Sequence, residues 1–122
     1  MFKFLVFLFG ISFFANAQHQ INMQCLLDVK QKTIAINQEI LFKNNSNIAL
    51  NHIILNDWNH AFSHKETVLA KRFSDEFVRG FYFASNEDLG NTTINSIQSN
   101  NENLQWEREN TEFVKIALQK PI

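Results

Sequence analysis

Apolar and polar residues alternate along two neighbouring segments near the start of the chain. In residues 21–29 every second position holds Ile, Met, Cys, Leu or Val, and residues 33–42 repeat the alternation with Ile and Phe. A period of two places these side chains on one face of a strand. Because the short polar sequence KQKT joins the segments, they are predicted to pair as a β-hairpin. Cys25 belongs to the apolar face and is expected to be a small buried residue.

Further alternating segments predict more strands. The turn sequence KNNSN precedes a third apolar segment, residues 48–55, in which Ile53, Ile54 and Leu55 are apolar on both faces. That pattern predicts a strand buried from two sides. Near the end of the chain, NLQWE and EFVKIALQ alternate again on either side of RENT and predict a second hairpin. The sequence FYFASNEDLGNTTI before it predicts a loop with a short strand around TTINSI.

A helix is predicted between these two groups of strands. Ser63 and Glu66 form the S-x-x-E sequence of a capping box, which predicts Ser63 as the N-cap. Leu69, Phe73 and Phe77 recur every four residues and predict one apolar helix face. The pattern therefore indicates a helix over roughly residues 64–78.

The expected end of this helix is Gly80. Glycine takes positive φ without strain, and no other residue nearby shares that freedom. The elements together predict a mainly β fold, an antiparallel sandwich or saddle-like sheet of about five strands with one inserted short helix.

The first 17 residues, MFKFLVFLFGISFFANA, have a different composition from the rest. Lys3 precedes a run of apolar residues from 4 to 15, and Ala15-Asn16-Ala17 has the small-x-small pattern of a cleavage site. These features predict a signal peptide over 1–17 and export to the periplasm or the cell exterior. An apolar run of this length is shorter than the ~20 residues that span a bilayer, so no stable membrane anchor is expected. An uncleaved anchor is the alternative.

The remaining residues, 18–122, are predicted to form one β-domain, which is expected to be incomplete because a strand reaches Pro121 just before the chain ends. The whole chain has 11 basic residues including Lys3, so 10 basic residues face 12 acidic ones after residue 17. This near-neutral balance gives no electrostatic support for nucleic-acid binding. A single cysteine cannot form an intramolecular disulfide.

His60 and His64 have the four-residue separation of the two zinc ligands in a helical HExxH motif. Ala61 stands where that motif has its catalytic glutamate, and the predicted N-cap leaves His60 in the preceding loop. Both histidines are therefore predicted to be loop residues without a metal. A loop site completed by His52 and Asp57 is the alternative.

Other chemical groups are predicted to be structural or solvated. The carboxylate pairs lie in a charged helix end, a polar loop and a strand end, and are predicted to be solvated, whereas a general acid and base need two different environments. Cys25 on a core face lacks the exposed, electropositive setting of a nucleophilic thiolate. Trp58 and Trp106 could form a carbohydrate-stacking platform but are predicted to be core or rim aromatics. The carboxylate pairs are Asp75-Glu76, Glu87-Asp88 and Glu107-Glu109. The chain is predicted to have no catalytic, cofactor-binding or metal-ligating residue.

The sequence LLDVKQKTIAINQEILFKNNSNIALNHIILNDWNHAF, with NHAFSHKETVLAKRF running into a short helix and VKIALQKP near the end, resembles the amino-terminal β-domain of the aminopeptidase N family of zinc metallopeptidases. The similarity is to the secreted bacterial branch and covers most of residues 21–122. The resemblance implies an antiparallel, saddle-like domain packed in front of a thermolysin-like catalytic domain. The HExxH and GxMEN motifs of that catalytic domain do not occur in this chain.

The resemblance therefore implies a non-catalytic leader domain that is inactive alone. Its partner would be the missing catalytic domain, in cis or encoded separately, and peptide substrate would be bound only through that domain. Zinc would belong to the partner, and no cofactor is expected in this chain. Two alternatives remain: a free-standing secreted β-sandwich that binds a ligand or partner, and a small metal-binding protein that uses His52, His60 and His64.

Overall fold

The computed structural model describes residues 19–122. The predicted signal peptide, 1–17, lies outside the described residues. The chain divides into two compact units between Asn47 and Ile48. The described part is mainly β, with antiparallel sheets and short helices, which confirms the predicted fold class. The expectation of one β-domain over 18–122 stays a prediction.

The first unit contains the predicted hairpin. Strands β1 (His19–Asp28) and β2 (Thr33–Phe42) are antiparallel, and each residue of one strand faces a residue of the other. The Asp28 carboxylate closes the turn, because its Oδ1 accepts the backbone N–H groups of Lys30 and Gln31 at 2.9 and 3.0 Å. Alternation and a short polar turn were enough to predict this pairing.

The register places the predicted apolar residues together on one face of the hairpin. Ile21 faces Ile40, Cys25 faces Ile36 and Leu27 faces Ile34, whereas Met23 faces the polar Gln38. The prediction that Cys25 is buried is wrong: the thiol is exposed. Alternation determines which side chains share a face, but burial requires another layer against that face, and the two strands of the first unit do not supply one.

The second unit contains five strands and several short helices. Strands β3, β7 and β6 form an antiparallel sheet in that order, and β4 pairs with β5 in a separate two-stranded ribbon. The pairing of β6 with β7 confirms the second predicted hairpin. The strands are β3 (His52–Asn56), β4 (Gln98–Ser99), β5 (Glu102–Asn103), β6 (Trp106–Glu109) and β7 (Phe113–Ala117).

One face of the three-stranded sheet is covered and the other is solvated. Val114 and Ile116 of β7 are buried and belong to the core with Ala61, Leu69 and Ala70. Ile54 lies on the opposite face and is 50% exposed, so the predicted burial of β3 from two sides is wrong. Its partner in register is Lys115, whose Nζ lies 2.8 Å from the Glu109 carboxylate. The charged neighbours explain why this face stays in water.

The helical region begins later than predicted. Trp58–Phe62 is a 3-10 helix, α1 spans Val68–Asp75, α2 spans Arg79–Phe83, and Asn86–Asp88 is a second 3-10 helix. Two α-helices therefore replace the single predicted one. Within residues 19–122, neither is long and apolar enough to cross a bilayer.

The N-cap of α1 is Thr67, so the predicted capping box at Ser63 and Glu66 is wrong. The Thr67 hydroxyl accepts the Ala70 N–H at 3.1 Å and donates to the Ala61 carbonyl at 2.7 Å. Only 2% of Thr67 is exposed. Ser63 instead ends the first 3-10 helix, and its hydroxyl lies 2.9 Å from His64 Nδ1. Thr67 is the better cap here because one hydroxyl satisfies two buried backbone groups.

A non-glycine residue with positive φ follows the C-cap of helix α1. Phe77 has φ 58°, and the Val78 N–H donates to the Phe73 carbonyl at 2.8 Å. The Phe77 N–H donates to the Ser74 carbonyl at 3.1 Å, which completes a Schellman motif. Gly80 lies inside α2, so its prediction as the helix stop is wrong. The reversal has already occurred before the chain reaches that glycine.

An aromatic cluster joins the helices of the second unit. Phe73 lies 6.2 Å from Phe62 and 5.6 Å from Phe81 between ring centroids, and Phe62 lies 5.9 Å from Phe81. These separations and tilted geometries are those that aromatic pairs prefer. Phe77 was predicted on the same apolar face but is 83% exposed, because the positive φ turns the chain away after Asp75.

Replacing Phe77 with glycine is expected to raise the free energy of unfolding by about 0.5–1 kcal/mol. Glycine removes the clash between Cβ and the carbonyl that positive φ imposes, while the exposed ring contributes little packing. Urea denaturation followed by circular dichroism measures the change. Phe77→Ala is the control, because alanine keeps Cβ. An equal gain in both variants would attribute the effect to loss of the ring.

Candidate functional site

The structure assembles a polar cluster from three separate parts of the second unit. We call it the Thr92 cluster, and its members are Asp57, Asn59, His60, Thr92 and Arg108. Asp57 follows β3, Asn59 and His60 belong to the 3-10 helix after it, and Arg108 lies on β6. Thr92 belongs to residues 89–97, which form neither helix nor strand.

Backbone hydrogen bonds position the first part of the cluster. The Asp57 N–H donates to the Glu112 carbonyl at 2.6 Å, which ties the end of β3 to the turn before β7. The His60 N–H donates to the Asp57 carbonyl at 3.0 Å and starts the 3-10 helix. The side chains of Asp57 and His60 therefore project from one tight turn.

Thr92 is held through its hydroxyl, its amide and its carbonyl. Its hydroxyl donates to Asp57 Oδ1 at 2.8 Å and accepts from Asn59 Nδ2 at 3.2 Å. Its backbone N–H donates to His60 Nδ1 at 3.1 Å, and its carbonyl accepts from Arg108 Nη2 at 3.0 Å. Asn59 Nδ2 also donates to the Asn91 carbonyl at 2.8 Å. The short strand predicted at TTINSI, residues 92–97, is wrong, because these residues form neither helix nor strand and β4 begins after them at Gln98.

Asp57 and Arg108 form an ion pair with 2.8 Å between Oδ2 and Nη2. Their side chains are 14% and 20% exposed respectively. Asp57 Oδ2 is buried, and the approach of Arg108 to it is close but falls outside hydrogen-bond geometry. Arg108 directs its hydrogen bonds to carbonyls instead, including Thr111 at 3.3 Å. The guanidinium therefore balances the buried carboxylate mainly by charge.

The surroundings of His60 favour its neutral form. Partial burial lowers its pKa from the usual value, and the Arg108 cation lowers it further. Asp57 acts in the opposite direction, and His64 adds to the lowering. Because Nδ1 accepts the Thr92 N–H, the ring proton of the neutral imidazole belongs on Nε2.

The Thr92 cluster contains the residue types of a catalytic site, but its hydrogen bonds differ from those of one. A nucleophilic hydroxyl needs a neighbouring general base, such as histidine, that takes its proton while the hydroxyl oxygen attacks a substrate. Here the Thr92 hydroxyl donates to Asp57 and not to His60, whose acceptor nitrogen is occupied by a backbone amide. The polar groups serve to hold residues 91 and 92 against the 3-10 helix and β6.

The other candidate residues lie outside this cluster. His52 begins β3, and His64 follows the first 3-10 helix. Among the described residues, no group of three or more His, Cys, Asp or Glu side chains could hold a metal ion. The expectation that the chain has no metal ligand stays a prediction. Trp58 and Trp106 begin the 3-10 helix and β6 and are both partly exposed, consistent with rim positions.

Carboxylates of two of the three pairs form ion pairs with nearby basic side chains. Glu76 pairs with Arg72 at 2.8 Å on the surface of the helical region. Glu107 and Glu109 share Lys115, at 3.6 and 2.8 Å. Both arrangements are exposed ion pairs of small energetic value.

Sequence reasoning missed Asn59, Thr92 and Arg108. One signal was available: Arg108 alternates with Trp106 and so falls on the face of β6 that belongs with the buried residues of β7. A charged residue in that position requires a buried partner. Asn59 and Thr92 carry no comparable pattern, because their contacts span more than 30 residues of chain.

The hairpin face is a second candidate, for binding another protein surface. We call it the apolar hairpin face. Its side chains that are between 54% and 62% exposed are Ile21, Met23, Leu27, Ile34 and Ile36. The opposite face is mainly polar, with pairs such as Asn22 and Glu39, whose side chains hydrogen bond at 3.4 Å, but it also carries the exposed Leu26 and Leu41. The hairpin is therefore an amphipathic ribbon.

Comparison of the chain with protein-family models, with curated proteins and with solved structures finds no match.

Proposed function

We propose that this chain is the amino-terminal, non-catalytic β-domain of a secreted zinc aminopeptidase-like metallopeptidase, and that it scaffolds and covers a catalytic domain outside these 122 residues. The observation that carries the proposal is the apolar hairpin face. A two-stranded ribbon is marginally stable in water unless its apolar side packs on something else. The apolar side chains that could pack in this way are exposed.

The energetic argument for a partner follows from the side chains themselves. Fully burying one Ile, Leu or Met side chain contributes about 1.5–3 kcal/mol. Only about half of each side chain on the apolar hairpin face is still exposed, so covering these side chains would contribute several kcal/mol in total. That gain is of the size that stabilises an interface between domains.

The identity of the partner comes from the resemblance. The residues that carry it most densely, 26–62, include most of the hairpin, the turn after it and strand β3. The mainly β, antiparallel architecture is the one that such a leader domain requires. The Thr92 cluster also fits this role, because its groups hold the chain together and leave chemistry to the partner.

The coding sequence beyond Ile122, or an adjacent reading frame, is expected to contain HExxH with a downstream glutamate. The polypeptide encoded there can be expressed separately and titrated with this chain. Ile36→Glu, on the apolar hairpin face, is expected to weaken binding at least tenfold, since it places a charge in the apolar contact. Asn37→Glu, on the opposite face of the same strand, is the matched control. Equal affinities of the two variants would contradict the proposal.

The purified chain is expected to hydrolyse no aminoacyl-anilide, with or without added zinc. The physical reason is that the hydroxyl and the imidazole of the Thr92 cluster are committed to internal hydrogen bonds. Release of the chromogenic amine measures activity. Hydrolysis that follows the chain through purification and is lost in Asp57→Asn would overturn the non-catalytic assignment.

A further inference from the structure

Residues 89–97 form a connection that depends on the Thr92 cluster. They contain no helix or strand. Side-chain contacts with the 3-10 helix and β6 reach Asn91 and Thr92, in the first half of this connection. A Cβ at Gly90 would lie 3.0 Å from Asn59 Oδ1, so the connection also approaches the 3-10 helix closely.

We propose that His60 makes this attachment an acid-sensitive latch, which holds Asn91 and Thr92 against the 3-10 helix when the imidazole is neutral and releases them when it is protonated. The geometry carries the inference: the Thr92 N–H donates to Nδ1, the one nitrogen of the neutral ring that can accept it. Protonation adds a hydrogen to Nδ1, so both ring nitrogens then carry an N–H group. Two donors then face each other at 3.1 Å, and the hydrogen bond is lost.

Charge acts in the same direction as the lost hydrogen bond. Arg108 of β6 donates to the Thr92 carbonyl and so helps to hold Thr92 in place. A protonated His60 ring would be repelled by this cation. His64 faces it from the turn after the 3-10 helix and adds repulsion when charged. Asp57 attracts the imidazolium, but its carboxylate is already paired with Arg108 and bonded to Thr92.

The pH window follows from the direction of the shift. Burial first, and Arg108 second, lower the pKa of His60 below its ordinary value of 6.5. A histidine with a lowered pKa in the closed state binds fewer protons there than in the open state. The latch is therefore at full strength above the ordinary value and weakens as pH falls below it, through the lowered pKa of the closed state.

Amide hydrogen exchange in the full chain, followed residue by residue by NMR, tests the latch. Protection of the Thr92 amide, corrected for intrinsic exchange, is expected to fall several-fold between about pH 7.5 and about pH 5, the range in which histidine titrates. Amides of β7, such as Val114, are expected to keep their protection. Unchanged protection at Thr92 across this range would overturn the proposal.

His60→Asn is the decisive variant. The asparagine Oδ1 can take the place of Nδ1 as an acceptor but does not titrate in this range. The pH dependence of Thr92 protection is expected to disappear in His60→Asn and to persist in the control His64→Gln. If His60→Asn keeps the wild-type pH dependence, or His64→Gln loses it, His60 is not the latch. This inference does not depend on the proposed metallopeptidase partner.

Discussion

Replacing Arg108 with alanine is expected to lower the free energy of unfolding of the second unit by about 2–4 kcal/mol. The substitution leaves the Asp57 carboxylate largely buried without the cation that balances it. It also removes the donors to the carbonyls of Thr92 and Thr111. The chain's two tryptophans, Trp58 and Trp106, both belong to this unit, so their fluorescence in a urea titration measures its unfolding.

The matched control for Arg108 is Arg72. Its ion pair with Glu76 also has a 2.8 Å separation, but the two side chains are 68% and 51% exposed. Arg72→Ala is expected to leave the free energy of unfolding almost unchanged, because solvent screens an exposed pair. The comparison separates burial from distance. A similar loss of unfolding free energy in the two variants would show that burial of the Asp57–Arg108 pair does not stabilise the second unit.

Replacing Thr67 with valine is expected to cost about 2–3 kcal/mol. Valine has nearly the same shape as threonine, so the core stays filled, but two backbone groups lose their partner. The Ala70 N–H loses its acceptor and the Ala61 carbonyl loses its donor, both in a buried setting. Thermal and urea unfolding, again followed by tryptophan fluorescence, measure the loss.

The control for Thr67 is the N-cap that the sequence pattern favoured. Ser63→Ala is expected to change the free energy of unfolding by less than about 0.5 kcal/mol, because the Ser63 hydroxyl caps no helix. Thr67→Ser keeps the hydroxyl and is expected to retain most of the stability. A larger loss from Ser63→Ala than from Thr67→Val would restore the original assignment of the helix start.

Both hairpins were predictable because their information is local. In β1 and β2, and again in β6 and β7, alternation and a short polar turn specify the partner and the face of each residue. The burial of those faces was not predictable in the same way. Cys25 and Ile54 have the same alternation or apolarity as core residues, yet both are exposed.

The helix boundaries were predicted poorly because local signals competed. Ser63 and Thr67 are both good N-cap residues, and Gly80 is a better residue than Phe77 for positive φ. The choice depended on contacts with other elements. Thr67 also satisfies the Ala61 carbonyl, and the reversal at Phe77 allows Phe81 of α2 to pack on Phe73.

The Thr92 cluster shows the limit of reading the chain alone. Asp57 and His60 were candidates because they are near one another in sequence, but the group that joins them is more than 30 residues away. Arg108 offered only the indirect signal of a charge on a covered strand face. The spacing of His60 and His64 suggests a metal motif because spacing is visible in the sequence. The hydrogen bond from Thr92 that occupies His60 Nδ1 is visible only in the structure.

Local chemistry alone determined the strand pairing of the two hairpins and the mainly β class, since side-chain alternation and turn residues act between close neighbours in the chain. Tertiary packing decided which apolar faces are covered, which hydroxyl caps α1, where that helix ends, and that Asp57, His60, Thr92 and Arg108 meet. The physical reason is that burial and buried charge depend on distant groups, and their free energies exceed the small local preferences that a sequence pattern records.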